Sequence, residues 1–340
     1  MSNSIHTTLA ALALCFTASA SAQVAGVPLP EQSCQRACLE GFVNRYLAAM
    51  RDNSVDPELF TRDARFTENG IELPLGNEGL WFSTVARGNY SFYVPDIETQ
   101  QVAFLGTVME QAASSATGPA RPPEPVAIAL RLRIVDGKIS EAEQIAARPD
   151  RPRGAAAAPS SNPFPATGAA VEAMGSPHPI FLQAVPEDQR HTRAELIAVG
   201  NAYFEVLQRN DGKGYYPFTD DCIRFENGID VLGPRTNPQT GVTTARQTCK
   251  AQFENNLRGV VTGIRDRRFV AVDRERGIVF AFAFFDHRPI NWTWQLGELF
   301  KVEKGLIRRI EAVFIRAPYG TDSGWSTYAQ GRSEEIQDVR

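Results

Sequence analysis

The run GIVFAFAFFDH, Gly277–His287, ends in two titratable side chains on what reads as a strand. Side chains of a strand alternate between faces. Ile278, Phe280, Phe282, Phe284 and Asp286 therefore share one side, and Val279, Ala281, Ala283, Phe285 and His287 the other. A carboxyl at the end of an aromatic wall is desolvated, which raises its pKa toward general acid–base use. That makes Asp286 a candidate catalytic base and Phe284 a candidate substrate contact. His287 ends a face whose alanines leave room for a ligand or for a packed helix. The chain holds four histidines, the others being His6 near the start, His178 in a Pro-rich stretch and His191 ahead of a helix. His287 is thus the candidate acid or base partner. Alternation does not say which face is concave, and the plain reading of both residues is a strand end bonded to loop backbone.

A second set surrounds a repeated tripeptide. RFENGIDVL begins at Arg224 and RFTENGIEL at Arg65, each carrying Glu-Asn-Gly. Glu226 shares strand parity with Arg224, so the two form an ion pair or converge on a polar group of a substrate. The alternative is that Asn227-Gly228 makes a turn which Glu226 braces. Glu68 carries the same two readings. Tyr203 lies on the apolar face of a helix, as a proton donor or oxyanion-stabilising phenol or as core with a satisfied hydroxyl; Tyr46 is its match. On a later helix, Gln252, Asn255 and Asn256 are placed to reach inward. The candidate catalytic residues are thus Asp286, His287, Glu226 and Tyr203. Those for substrate binding are Arg224, Gln252, Phe284, Tyr46 and Glu68. No Gly-rich phosphate loop, Gly-x-Ser-x-Gly elbow or metal-ligand cluster occurs, so no metal and no cofactor is expected. What remains is proton-transfer chemistry: enolisation, dehydration, cyclisation or retro-aldol cleavage.

The elements that must position these residues occur twice. Leu39, Phe42, Val43, Tyr46, Leu47 and Met50 fall on one helical face, and Leu196, Val199, Tyr203 and Val206 on another. Thr192 with Glu195 predicts a capping box at the start of the second. Tyr46 and Tyr203 match at an offset of 157 and Glu68 and Glu226 at 158, as one inserted residue would give. After each Glu-Asn-Gly come a helical stretch and several strands. LRLRIVDGKI and ELFKVEKGLI read as hairpins turning at Asp136-Gly137 and Lys304-Gly305. Aligning FLGTVMEQ with FAFAFFDH sets Glu110 and Gln111 opposite Asp286 and His287. Matching elements in matching order point to a duplicated α+β domain with a curved antiparallel sheet over its helices.

Residues 31–148 and 190–325 are the expected domains, with an export signal at 1–22 and a polar tail at 326–340. Pro149 to Gln189 is rich in Pro, Ala, Gly and Ser and reads as a linker or loose strap. The segments CQRACLEGFVNRYLAAM, RFTENG and GLW in the first half, and FENG, TCKAQF, RDRRFVAVDRERG, FFDH and PYG in the second, resemble the nuclear transport factor 2-like (SnoaL-like, cystatin-type cone) fold. More narrowly, they are similar to an exported tandem family of uncharacterised function. The resemblance covers most of residues 34–147 and 190–325. It implies cones whose pockets lie between sheet and helices, with the two domains packed as an internal pseudo-dimer through their sheets.

Leu9–Phe16 is an apolar run followed by Ala20-Ser21-Ala22, the pattern of a cleaved export signal, although no Lys or Arg precedes it. The implied location is secreted or periplasmic. There Cys34, Cys38, Cys222 and Cys249 form an even set that allows three pairings, of which the two local ones, Cys34–Cys38 and Cys222–Cys249, are favoured; small buried thiols are the alternative reading. A net charge of −4 argues against a nucleic-acid partner, and no run is long enough to span a bilayer. The leading expectation is an exported, cofactor-independent lyase or isomerase acting on a small hydrophobic molecule in the second cone. The alternatives are a non-catalytic binder of a lipophilic ligand, or an interaction protein with filled cones.

Overall fold

The computed structural model describes residues 33–113, 118–150, 162–209, 211–237, 240–255 and 261–340, and every count below refers to these. The proposed signal, residues 151–161 of the linker and Asn256 lie outside them, as does the side chain of Asn255. In chain order the elements are α1 (Arg36–Arg51), β1 (Phe60–Glu68), β2 (Ile71–Glu72), α2 (Leu80–Ser83), β3 (Thr84–Asp96), β4 (Gln101–Glu110), β5 (Glu124–Val135) and β6 (Lys138–Ala147). Then come α3 (Thr167–Ala173), α4 (Pro179–Leu182), α5 (Arg193–Arg209), β7 (Phe218–Glu226), β8 (Ile229–Asp230), β9 (Arg235–Thr236), β10 (Thr243–Thr244) and α6 (Cys249–Asn255). The chain closes with β11 (Gly263–Asp273), β12 (Ile278–His287), β13 (Trp292–Glu303), β14 (Leu306–Pro318), α7 (Tyr328–Arg332) and β15 (Ile336–Asp338).

The fold is α+β, with two curved sheets each laid over its own long helix. One sheet runs β2-β1-β6-β5-β4-β3; the other runs β15-β11-β12-β13-β14-β7-β8. The six apolar residues named on α1 are all buried, as are Leu196, Tyr203 and Val206 on α5. Glu195 accepts the backbone N–H of Thr192 at 2.8 Å and returns its own to the threonine hydroxyl at 3.3 Å, the expected capping box. Asp136, Gly137, Lys304 and Gly305 all have left-handed φ, which a two-residue hairpin turn requires. Asn69, Gly70, Asn227 and Gly228 do as well.

Each Glu-Asn-Gly asparagine also extends the sheet. Asn227 Nδ2 donates to the Phe314 carbonyl at 3.1 Å and Oδ1 accepts the Phe314 N–H at 2.8 Å. Asn69 does the same to Ala146, at 3.4 and 2.8 Å. A left-handed Asn-Gly turn thus lets the amide bond the neighbouring strand as a backbone would.

Three apolar cores result. One lies inside each cone, and the third lies between the sheets, where Phe92, Val94 and Leu105 meet Phe280, Phe282 and Leu299. Ion pairs reinforce this contact reciprocally. Arg36, opening α1, bonds Asp273 at 2.8 and 2.9 Å. Arg193, opening α5, bonds Asp96, the last residue of β3.

The linker and tail differ from the expectation of loose polar chain. Val171 and Phe181 are fully buried in the inter-sheet core. Gly168 lets α3 press onto β5 so closely that a Cβ there would lie 1.8 Å from the Pro125 carbonyl oxygen. Close backbone approach, which composition does not record, replaces bulk apolar burial. In the tail, β15 pairs in parallel with β11. Just before it, Trp325 stacks under Arg65 and Arg131 of the first sheet at 4.3 and 4.7 Å and donates to Thr67 at 2.8 Å. Both cysteine pairs, Cys34–Cys38 and Cys222–Cys249, are disulfides. No described helix is long and apolar enough to cross a membrane.

Candidate active site

The second cone encloses a cavity of about 190 Å³ between α5 and its sheet. Its strand faces are fixed by register. Val279, Ala281, Ala283 and Phe285 join the core inside the cone, and His287 lines the cavity. Ile278, Phe280 and Phe282 face the first sheet. Asp286 and Phe284 belong to that outer face, so neither reaches the cavity. Asp286 accepts Arg265 Nε at 3.0 Å and the Thr293 hydroxyl at 2.7 Å, and the same guanidinium lies over the Phe284 ring at 4.7 Å. Asp286 is an ion-pair partner under the C-terminal tail, and the aromatic wall assigned to it is an interface.

The cavity owes its space to one row across the sheet. Glu226 on β7 pairs with Ala312 on β14, Ala312 with Glu298 on β13, and Glu298 with Ala281 on β12. Glu226 and Glu298 therefore flank Ala312, their backbones about 10 Å apart at two strand spacings. The methyl group of Ala312 leaves space over the row between Glu226 and Glu298, and all three line the cavity. Arg224, one step deeper on β7, is buried, pairs with Glu226 at 3.1 Å and donates to the Tyr203 hydroxyl at 3.3 Å.

Glu298 is buried and desolvation pushes its pKa up to about 8. The charge of Arg224 and a hydrogen bond with Tyr203 oppose the rise, and the charge of Glu226 adds to it. At neutral pH the side chain is therefore a carboxylic acid. Its Oε2 and the Nε of Arg224 are buried without a hydrogen-bond partner, an unusual cost for native interiors. Burial also drives the Tyr203 phenol well above its ordinary value, keeping it a neutral donor.

Glu298 is absent from the candidates above, yet its signal is in the sequence. In WTWQLGELF, Trp292, Trp294, Leu296, Glu298 and Phe300 share a face, and a lone carboxyl among four apolar residues marks a costly burial.

His287 lies at the other end of the cavity. Its ring stands edge-on to Trp292 and Trp294, at 6.1 and 6.2 Å. Six residues separate it from Ala281, the partner of Glu298, or roughly 20 Å of strand. His287 and Glu298 thus cannot exchange a proton directly. Gln252 turns away, donating to the Val231 carbonyl at 3.4 Å and lining a separate surface recess.

In the first cone the same row is filled. Hairpin register sets Glu68, Gln144, Leu130 and Phe104 opposite Glu226, Ala312, Glu298 and Ala281. Phe66 replaces Arg224. Gln144 accepts the Tyr46 hydroxyl at 2.9 Å and donates to Glu68 at 2.9 Å, while Trp81 donates to Tyr46 at 3.1 Å. Arg148 pairs with both Glu68 and Glu110, at 2.7 and 2.9 Å. Tyr46 and Glu68 are bonded to the protein itself. Register also moves the alignment by one residue: Glu110, not Gln111, stands opposite His287, because both end the strand pair at Glu124 and Trp292.

A family model described as a domain of unknown function (DUF8021) matches residues 189–314, which hold most of the second cone. No curated protein matches the chain. Among solved structures, a putative hydroxylase, AclR, from Streptomyces galilaeus is similar at 17% identity over 33% of this chain and 81% of that one, with a TM-score of 0.28. An NTF-2 like protein of unknown function from Burkholderia xenovorans LB400 is 14% identical over 39% and 94%, with a TM-score of 0.24. A protein of unknown function with cystatin-like fold from Methylobium petroleophilum PM1 is 16% identical over 44% and 97%, with a TM-score of 0.26.

Proposed function

We propose that the second cone is a cofactor-independent acid–base site, a lyase or isomerase for a small aromatic or otherwise hydrophobic carbonyl compound. The observation that carries this reading is the buried Glu298 carboxyl, with an oxygen that no protein group satisfies, set on the same row as Glu226 with only Ala312 between them; burial raises its pKa and favours the acid form. A cavity of ~150 Å³ accepts benzene, so the observed volume suits one substituted ring. The walls, Leu207, Phe285, Trp294 and Phe314, take the ring, and the polar row takes the oxygen.

The step is enolisation. The Glu226 carboxylate removes a proton from the carbon beside the carbonyl, and the C–H electron pair becomes the new C=C bond. The carbonyl electrons move to oxygen, which takes the proton of Glu298. Return of a proton to a different carbon, with Glu298 recovering its own, completes an isomerisation. Arg224 positions Glu226 through their ion pair and offers its free Nε to the developing negative oxygen.

The test is proton washout. In deuterated buffer, acetophenone, a single substituted ring, should lose its α-protons, followed by NMR, faster with protein than without. Glu298→Gln and Glu226→Gln should each abolish the difference. Binding without exchange across a panel of aryl ketones would leave the cone as a binding site only.

A further inference from the structure

The cavity is not closed by the second cone alone. Phe164, on the segment between the cones, forms one of its walls, with its ring edge-on to Phe314 at 5.2 Å and to Trp294 at 6.5 Å. Three residues later α3 begins, and its seat is on the first cone. Glu172 accepts the backbone N–H of Asn89 at 2.9 Å and the hydroxyl of Thr107. Gly168 lies on the Pro125 carbonyl, and on the opposite side the Gly228 turn presses on Ala170, where a Cβ would come within 2.4 Å. The helix is thus wedged between one cone and the Glu-Asn-Gly turn of the other, which leaves Phe164 little freedom.

We propose that Phe164 determines the size of the molecule admitted to the cavity, and that the first cone, its own row filled, holds Phe164 there through Glu172. This rests on the reading that the cavity takes a small aromatic molecule, and the experiment separates the two. Phe164 is half-buried at the edge of the second-cone core, so Phe164→Ala removes a ring from the wall without emptying a fully buried core position.

The probes are phenol and 2-naphthol, titrated by calorimetry against the full chain. The unaltered protein should bind phenol and disfavour 2-naphthol about tenfold or more, the discrimination a close-fitting apolar pocket provides. Phe164→Ala should raise the 2-naphthol to phenol affinity ratio about tenfold or more by the same measure. Glu172→Ala, acting through Phe164, should raise the ratio in the same direction but add nothing in the Phe164→Ala background. Loss of stability alone would not produce that dependence. Phenol binding with an unchanged ratio in Phe164→Ala would overturn the assignment and spare the cavity. Failure of both proteins to bind either probe would overturn both.

Discussion

Replacing Glu298 by Gln tests the desolvated carboxyl directly, because the amide keeps the shape and cannot ionise. The folded protein holds this group at about 8 against an ordinary 4.5. At about 1.4 kcal/mol per pH unit, that displacement amounts to roughly 5 kcal/mol. The sign follows from the protons bound. Between 4.5 and 8 the folded state keeps a proton that the unfolded chain has released, so the contribution of Glu298 is fully present below 4.5. It is lost as pH rises through 8 and is constant above. Glu298→Gln has no such dependence. Urea unfolding, followed by tryptophan fluorescence at several pH values from 4 to 9, should show the variant gaining on the unaltered protein across this window by roughly 5 kcal/mol. Other titrating groups cancel in the difference. Parallel stability curves across the whole range would refute the argument, since they would mean that Glu298 ionises as freely folded as unfolded.

Three further outcomes follow from the contacts. Asp286→Ala strips Arg265 of its buried carboxylate and should cost about 3 kcal/mol in urea unfolding, yet leave phenol affinity unchanged, because Asp286 lies on the outer face; lost affinity at full folding would contradict that placement. Replacing Cys222 and Cys249 by Ala opens a 27-residue separation and should lower stability by roughly 3.5 kcal/mol, read from thermal melts against the oxidised protein. Asn227→Ala loses both bonds to Phe314 and puts a Cβ residue with no polar support in a left-handed turn, for about 2–3 kcal/mol in the same unfolding assay. Asn69→Ala should match it within about 1 kcal/mol.

The matching elements of the two α+β halves were legible because their marks are local. A left-handed Asn-Gly or Asp-Gly turn, a capping box and a stripe of apolar residues are each decided within a few residues of chain, and all appear where the sequence places them. Tyr203, Arg224 and Glu226 come together in the second cone for the same reason, since helix face and strand parity already set them on one side. Asp286 was misplaced because parity divides a strand into two faces without saying which is covered by a helix and which by another sheet. The one-residue displacement of Glu110 has a similar origin: strand register is set by hydrogen-bonded partners and not by similarity along a line of text.

The sequence by itself determined the elements of two α+β halves, their turns, and the helix face and strand parity that set Tyr203, Arg224 and Glu226 on one side. Only the tertiary structure decided that the row beside Glu298 is open in one sheet and that its counterpart is filled in the other. That choice turns on residues far apart in the chain: small Ala312 and Ala281 flank Glu298 in one sheet, while Gln144, Leu130 and Phe104 occupy the same row in the other. It also decided that Glu298 is an acid at neutral pH, because desolvation is the work of every element packed around a carboxyl, and no stretch of sequence contains them all.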